Sequence, residues 1–538
     1  MAKRFGVMLD MSRNAVMKPE EVKRFAKTIK GFGYNMIQMY TEDTYEIPEE
    51  PYFGYLRGRY SQAELKDMVS YCDSIGVELV PCVQTLAHLN AIFHWETYYQ
   101  IKDIDDILIV GDERTYELID NMFKSLRECY TSEYIHIGMD EAHHVGLGKY
   151  LDEHGFENRF GIIRSHLERV IAIAEKYNFK PLMWSDMFFR LATKGGYYID
   201  DPSIITDEVV AACPDGVDQV YWDYYHTEKA DFDVMIEAHK KFKGETWFAG
   251  GAWVWSGFVP NNIYSMDTML PAMESCREHG VENIMLAMWG DDGRECSPWA
   301  SLPSLFAIRR AYDGVTDMEI VKREFYETIG EKYDDMMLLG LPLSIRIRNH
   351  FSGVHKYYLY NDPFLGIFDK AAKEGLKEQY EELSEKLYGL AGRGGDFSYL
   401  YESMAALANV LSRKYDLGAK TRDAYKKNGA VALAGIVKDY EWVIEALEVF
   451  VSKFRALWYH DNKPHGFDVQ DIRLGGLLMR LRSAKERIVD YLDGKITDIP
   501  ELEEEILPYK GIANSLNDSD VPCYHGWEKT ASINRFVW

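Results

Sequence analysis

No apolar run in this sequence reaches the ~18 residues that a membrane-crossing helix needs, so no membrane span is expected. Cysteine is sparse and unpatterned. Cys72, Cys82, Cys129, Cys213, Cys276, Cys296 and Cys523 are odd in number and form no CxxC pair, which argues against both a disulfide framework and a zinc ribbon. Positive charge is short as well: 61 Lys and Arg stand against 86 Asp and Glu, a net charge of −25, and such a chain repels nucleic acid. The opening stretch Met1-Ala2-Lys3-Arg4-Phe5-Gly6-Val7-Met8-Leu9-Asp10 meets an acid before it could supply the apolar core of ~7–15 residues that a signal peptide requires. The expectation is a reduced, cytoplasmic, globular protein.

What the chain has in plenty is aromatics. Twelve Trp, 37 Tyr and 25 Phe make up 14% of the residues, many of them where apolar segments end. Such rings serve either as core or as walls for a ligand with flat apolar faces, such as a sugar.

Along residues 1–315, short apolar runs alternate with amphipathic helical patterns, the signature of βα units around a parallel sheet. Eight strands are expected: Phe5 to Leu9, Asn35 to Met39, Val77 to Cys82, Tyr134 to Gly138, Lys180 to Trp184, Gln219 to Trp222, Thr246 to Gly250 and Asn283 to Met288. Helix patterns such as Pro19 to Lys30, Gln62 to Ile75, Gly161 to Tyr177 and Asp267 to His279 lie between them. Eight repeats in this length fit an α/β (β/α)8 TIM barrel. A doubly wound sheet is the alternative, but no glycine fingerprint follows the first strand, and Gly146-Leu147-Gly148 alone reads as a loop.

Residues 316–538 read differently. The spacing of Val437, Tyr440, Ile444, Leu447, Val451, Phe454 and Trp458 describes one helix face, and Leu400, Met404, Leu407, Leu411 and Leu474, Leu477, Leu481, Ala484, Ile488 repeat it. An all-α C-terminal domain follows, punctuated at Gly392 to Gly395. Its many aromatics leave open an intrachain interface or a homodimer.

Active sites of (β/α)8 barrels lie at the C-terminal ends of the strands. The residues just past each run are Asp10 and Arg13; Glu42 and Asp43; Gln84 and His88; Asp140 and Glu141; Trp184 and Asp186; Trp222, Asp223, Tyr224 and Tyr225; Trp253 and Trp255; and Trp289, Asp291, Asp292, Arg294 and Glu295. Acids and indoles converge on one rim. Asp43, Asp186 and Asp292 serve there equally well as loop salt-bridge groups or as ligands.

The fourth run, Tyr134-Ile135-His136-Ile137-Gly138-Met139-Asp140-Glu141-Ala142-His143-His144, is the most informative. Adjacent carboxylates at a strand end are expected to point to opposite sides, whereas a standard retaining glycosidase builds two carboxyls ~5–5.5 Å apart from separate strands. Adjacency suits another division of labour, in which one acid reaches the leaving oxygen while its neighbour contacts a different part of the same sugar.

His136-Ile137-Gly138-Met139-Asp140-Glu141 resembles the His-x-Gly-x-Asp-Glu signature of family 20 glycoside hydrolases, the exo-acting β-N-acetylhexosaminidases. Gly6 to Arg13 looks like that family's first strand, His88 matches the histidine after its third, and Trp289-Gly290-Asp291 resembles its Trp-x-acid motif after the eighth. The resemblance implies substrate-assisted retention, an exception to the two-carboxylate rule. By it Glu141 is the general acid and then base, and Asp140 holds the 2-acetamido group whose oxygen attacks the anomeric carbon to form an oxazolinium. Trp184, Trp222 and Trp289 wall the pocket, with Trp253 favoured over Trp255 as a further indole. Asp291 accepts from sugar hydroxyls, His88 orients an acid, and Tyr224 or Tyr225 donates to the acetamido oxygen. The implied partner is a glycan or glycoconjugate ending in an N-acetylhexosamine, and the implied cofactors are none.

Departures are visible. Phe5 stands where the family usually carries a sugar-binding arginine, with Arg4 one place off, so Asp10 or Arg13 is expected to replace it. The family's Glu-x-Asp-x-Pro-Gly-His reads Cys82-Val83-Gln84-Thr85-Leu86-Ala87-His88 here, and with a first strand expected from residue 5 the small domain that generally precedes the barrel is expected to be missing. A minimal branch with altered hydroxyl recognition is expected. A metal held by His136, Asp140, His143 and His144 is the rival use of the same segment, set aside because the resemblance gives those residues other work. Two further rivals are a carbohydrate-binding barrel without catalysis and a barrel glycosidase for sugars lacking the acetamido group.

Overall fold

A computed structural model describes residues 2–193, 195–344, 353–372, 375–427, 429–509, 511 and 526–534. Cys523 lies outside them, and the six described cysteines are all free thiols. Among the described residues no helix is long and apolar enough to cross a membrane.

Eight parallel strands close into a barrel in sequence order: β1 (Arg4–Asp10), β2 (Met36–Tyr40), β3 (Glu78–Cys82), β4 (Tyr134–His136), β5 (Lys180–Trp184), β6 (Asp218–Trp222), β7 (Trp247–Gly251) and β8 (Asn283–Met288). Closure comes from the pairing of β1 with β8, Arg4 opposite Asn283 through Leu9 opposite Met288. The (β/α)8 barrel expected from the repeats is therefore found. The strands are apolar and buried on both faces because side chains fill the interior while helices cover the outside.

β1 shows how the alternation works. Phe5 points outward, its ring 5.0 Å from Tyr34 and 5.4 Å from Tyr312, with the Arg309 guanidinium over it at 4.9 Å. Arg4 points inward at the opposite end from the rim, pairing with Glu78 at the start of β3 (3.1 Å) and lying over the Tyr134 ring at the start of β4. Gly6 is required where β1 meets β2, since a Cβ there would come 2.6 Å from the Met36 carbonyl oxygen.

The chain divides into two compact units. The first comprises residues 1–252, 265–289 and 304–330 and contains all eight strands. The second comprises the loops 253–264 and 290–303 together with 331–538. Its described residues are helical, chiefly Leu376–Ala391, Ser398–Lys414, Leu417–Lys426, Ala430–Asp461 and Phe467–Leu492. The buried stripe of Ala430–Asp461 runs through Leu433, Ile436, Tyr440, Val443, Ile444, Leu447, Phe450, Phe454 and Trp458. Val437 and Val451 are only half-buried at its edge, because Ile436 and Phe450, one residue earlier, take the centre. In the same unit Lys356 is fully buried, paired with Asp292 (2.6 Å) and Glu295 (2.8 Å) of the loop that follows β8, and Arg473 reaches both acids at 3.1 Å.

Candidate active site

β4 is shorter than its sequence suggests. It ends at His136, and Gly138, Met139 and Glu141 all adopt positive φ (73°, 75° and 51°), so the two acids sit on a tight curl rather than on alternating faces of a strand. The expectation that strand alternation separates them is thereby corrected. Gln84 approaches so closely that residue 138 must be glycine, since a Cβ there would fall 2.0 Å from its Oε1. Gln84 Oε1 accepts from Met139 N (3.3 Å), and its amide donates to Asp140 Oδ1 (2.8 Å) and to Tyr40 Oη (3.1 Å). Glu42 and His88 also hold positive φ (41° and 57°). Non-glycine residues in this conformation are costly and collect where surrounding structure needs a side chain in one place.

Asp140 is buried, with both oxygens occupied. Oδ1 takes the Gln84 amide, and Oδ2 lies 3.2 Å from His88 Nε2, which is 3.8 Å from Glu141 Oε2. Burial opposes charge on His88, but the adjacent Asp140 outweighs it and the imidazole is pushed up to about 10, so it is cationic at neutral pH. Burial likewise opposes charge on Asp140, and the adjacent His88 cation with the Gln84 hydrogen bond keeps its carboxyl below the usual range. Asp106 accepts the His88 backbone N–H (3.1 Å) and lies 3.8 Å from Nδ1. Glu141 contrasts with its neighbour, its side chain 45% exposed. One carboxyl group is fixed in place; the other opens to solvent.

Glu141 is braced from β5. Asp186, two residues past the strand and fully buried, accepts the Glu141 backbone N–H (3.3 Å) and Arg190 Nε (3.2 Å) on Oδ2, and Arg190 Nη2 lies 4.0 Å from Glu141 Oε1. Burial first, then the charge of Asp140, pushes Asp186 up to about 7. Between Trp184 and Asp186, Ser185 Oγ meets His239 Nε2 (2.7 Å) and Tyr197 Oη (3.0 Å), and Tyr197 Oη accepts the Trp222 backbone N–H (3.0 Å), so the ends of β5 and β6 are tied by one buried network.

Trp184 is buried against His136 (ring centroids 4.3 Å apart) and 6.0 Å from Trp289, with its Nε1 buried and unpartnered. Burial pushes His136 down to about 3, so it is a neutral ring. Trp289 meets the Tyr40 ring edge-on at 4.8 Å. Trp222 is half-buried and stacks on Tyr224 (5.5 Å, 22°), whose hydroxyl hydrogen-bonds with Trp289. Tyr225 is exposed, its N–H donated to Asp223 Oδ1 at 3.1 Å. Asp10 is buried, its Oδ1 accepting from Ser12 N (2.8 Å) and Oγ (2.7 Å), and Arg13 pairs with Glu42, which also accepts from Tyr40 Oη (2.9 Å). His143 is exposed, and His144 pairs with Asp105 at 2.6 Å.

Trp253 and Asp291 belong to the second unit. Trp253 is buried and stacked on Trp255 at 4.2 Å, and Asp291 is half-buried. Among groups around the acids, Arg190 and Asp106 escaped the sequence reading. Arg190 had a signal, an Asp-to-Arg pair at i,i+4 on the helix Asp186–Thr193. Asp106 had none, since it reaches His88 from 18 residues away in a loop.

A closed (β/α)8 barrel that holds a buried anion beside an exposed carboxyl group at the ends of its strands, among indole rings, has the construction of a glycoside hydrolase. Comparison with known proteins identifies the family. Residues 4–205 match the model for the glycosyl hydrolase family 20 catalytic domain, and residues 344–519 match that for the glycoside hydrolase 20C C-terminal domain. The chain belongs to family 20 of the glycoside hydrolases. It is 24% identical to Hexosaminidase D of Bos taurus over 279 residues, covering 48% of this chain and 72% of that protein. It is also 24% identical to Hexosaminidase D of Homo sapiens over 242 residues, where it spans less than half of that protein (45%) and 42% of itself is covered. Among solved structures, Flavobacterium johnsoniae chitobiase superposes with a TM-score of 0.46 at 15% identity, covering 98% of this chain and 78% of that one.

Proposed function

We propose that this chain is an exo-acting, retaining β-N-acetylhexosaminidase in which the substrate supplies the nucleophile, its catalytic domain spanning residues 1–315 and a helical domain residues 316–538. The observation that carries this reading is the division between the two adjacent acids. Asp140 is an anion fixed through both oxygens by Gln84 and His88, whereas Glu141 is exposed. A fixed buried anion is suited to hold an acetamido N–H and to stabilise positive charge that develops on the amide as its oxygen closes on the anomeric carbon. An exposed carboxyl is suited to give a proton to the departing oxygen and take one back from water. His88 and Asp186 act as positioning groups for Asp140 and Glu141 respectively.

In this reading Trp184, Trp222 and Trp289 wall the sugar pocket. Tyr224 is the donor to the acetamido oxygen in preference to Tyr225. It stacks on Trp222, hydrogen-bonds with Trp289 and feels the charge of Asp140, whereas Tyr225 is exposed. Phe5 packs outward and Arg4 lies at the far end of the barrel, which favours hydroxyl recognition through Asp10 or Arg13 and acceptance of both N-acetylglucosaminides and N-acetylgalactosaminides. The free thiols fit a cytoplasmic location.

The test is hydrolysis of chromogenic 2-acetamido-2-deoxy-β-glycosides beside the matching β-glucoside. Turnover of the acetamido sugars alone is expected. Equal turnover of the glucoside contradicts the mechanism, no turnover of any supports a binding protein, and a preference above about a thousandfold between the gluco and galacto forms contradicts dual specificity.

A further inference from the structure

The loops after β2 and β3 carry a cluster of aromatic rings outside the pocket. Tyr52 (47% exposed), Tyr55 (44% exposed), His94 and the half-buried Trp95 stand with centroids 4.9–6.0 Å apart, Trp95 at the centre in contact with the other three. A contiguous patch of exposed rings marks an interaction site where rings exposed singly do not.

This cluster is held in shape from beneath. Buried Glu50 accepts from Tyr98 Oη (3.1 Å), Arg114 Nη2 (2.7 Å) and Asn121 Nδ2 (3.1 Å), fastening both loops to the helix Glu113–Cys129. A relay of contacts links it to the acids. Gly54 packs so closely on Asp43 that a Cβ would lie 2.0 Å from its carbonyl oxygen, and Arg57 pairs with the Asp43 carboxylate at 3.1 Å. Asp43 adjoins Glu42, which binds Tyr40, and Gln84 joins Tyr40 to Asp140. The other loop carries both His88 and Trp95.

We propose that Tyr52, Tyr55 and Trp95 form a stacking platform for the sugar rings beyond the cleaved bond, so that the preferred substrates are oligosaccharides rather than small glycosides. The inference rests on the β-N-acetylhexosaminidase reading and adds the leaving group to it. Pyranose rings present flat C–H faces that suit exposed aromatic rings, and a platform fixed before binding spends little of its contact energy on ordering. A platform on the β2 and β3 side leaves the closed, indole-walled side for the terminal sugar.

The experiment compares kcat/KM on β-1,4-linked N-acetylglucosamine oligomers of two to five rings with kcat/KM on the nitrophenyl N-acetylglucosaminide, in the wild type and in Tyr55→Ala/Trp95→Ala. The wild-type ratio of tetramer to nitrophenyl glycoside is expected to exceed the dimer ratio by about tenfold, the double variant to flatten that rise, and Trp95→Phe to restore part of it. No rise with length in an active wild type overturns the platform. So does an equal rise in the double variant, or a dimer in sedimentation that the double substitution dissolves, which would make the rings a self-association surface. A wild type inactive on every acetamido sugar would instead refute the function on which the platform rests.

Discussion

His88 Nε2 stands 3.2 Å from Asp140 Oδ2, a cation that keeps a buried carboxylate ionised. The folded value of His88, about 10, lies above its unfolded value of ~6.5. Its stabilisation is therefore complete below about pH 6.5 and fades as pH rises toward 10. His88→Gln should lower Tm most at pH 6.5, and the gap to the wild type should narrow steadily toward pH 10. A gap independent of pH in thermal unfolding would show that His88 is uncharged. Without the cation Asp140 holds its proton more tightly, so the acid limb of kcat/KM should also move to higher pH in the variant.

Asp186 runs the other way for a carboxylate. Its folded value near 7 exceeds the unfolded ~3.9, so the wild type loses stability as pH rises from about 4 to 7. Asp186→Asn keeps an acceptor for the Glu141 N–H and avoids the buried charge. Relative to the wild type it should gain on the order of 2–4 kcal/mol across that interval and nothing further above it. Urea titrations at pH 4.5 and 7.5 check this. Asp186→Ala removes the acceptor and should reduce kcat with little change in KM.

Trp184 is wedged between His136 and Trp289 with a buried, unpartnered Nε1–H. Trp184→Ala should cost about 3–5 kcal/mol in denaturant unfolding. Trp184→Phe keeps most of the ring and should leave a folded enzyme with KM raised several-fold and kcat less affected.

Within the second unit, Lys356 neutralises two acids of the loop that follows β8. Lys356→Met leaves Asp292 and Glu295 with Arg473 alone, an uncompensated buried charge worth about 3–5 kcal/mol. Chemical denaturation of the full chain measures it.

The architecture was legible because each strand is an apolar run bounded by a change of periodicity, and most boundaries fall within one residue of those expected. β4 is the exception. Gly138 reads as the end of a strand, but its positive φ and the close approach of Gln84 depend on a neighbour 54 residues away, which periodicity does not record. The rim positions followed from counting past each strand. What the neighbours do with them did not. Asp186 reads as a loop acid, yet it is buried beneath Glu141 because β5 lies beside β4, and Phe5 and Arg4 take opposite faces by strand alternation, with partners that only the neighbouring elements decide. In the long helix Ala430–Asp461 the apolar spacing admits two neighbouring stripes, and packing centres Ile436 and Phe450 rather than Val437 and Val451.

Glu141→Gln removes the proposed proton donor while leaving the fold and sugar affinity in place. Turnover on substrates with poor leaving groups should fall by about 10²–10⁴-fold, and activated aryl glycosides should suffer much less. Equal losses on both would contradict the acid role.

The central claim, that the acetamido oxygen is the nucleophile and Asp140 its clamp, is tested most directly by the affinity of a thiazoline mimic of the bicyclic intermediate for the wild type and for Asp140→Ala. The account predicts that the wild type binds the mimic at least about a hundredfold more tightly than N-acetylglucosamine and that Asp140→Ala loses most of that advantage. A wild type that binds the two alike, or an Asp140→Ala protein that keeps the full preference, would contradict it.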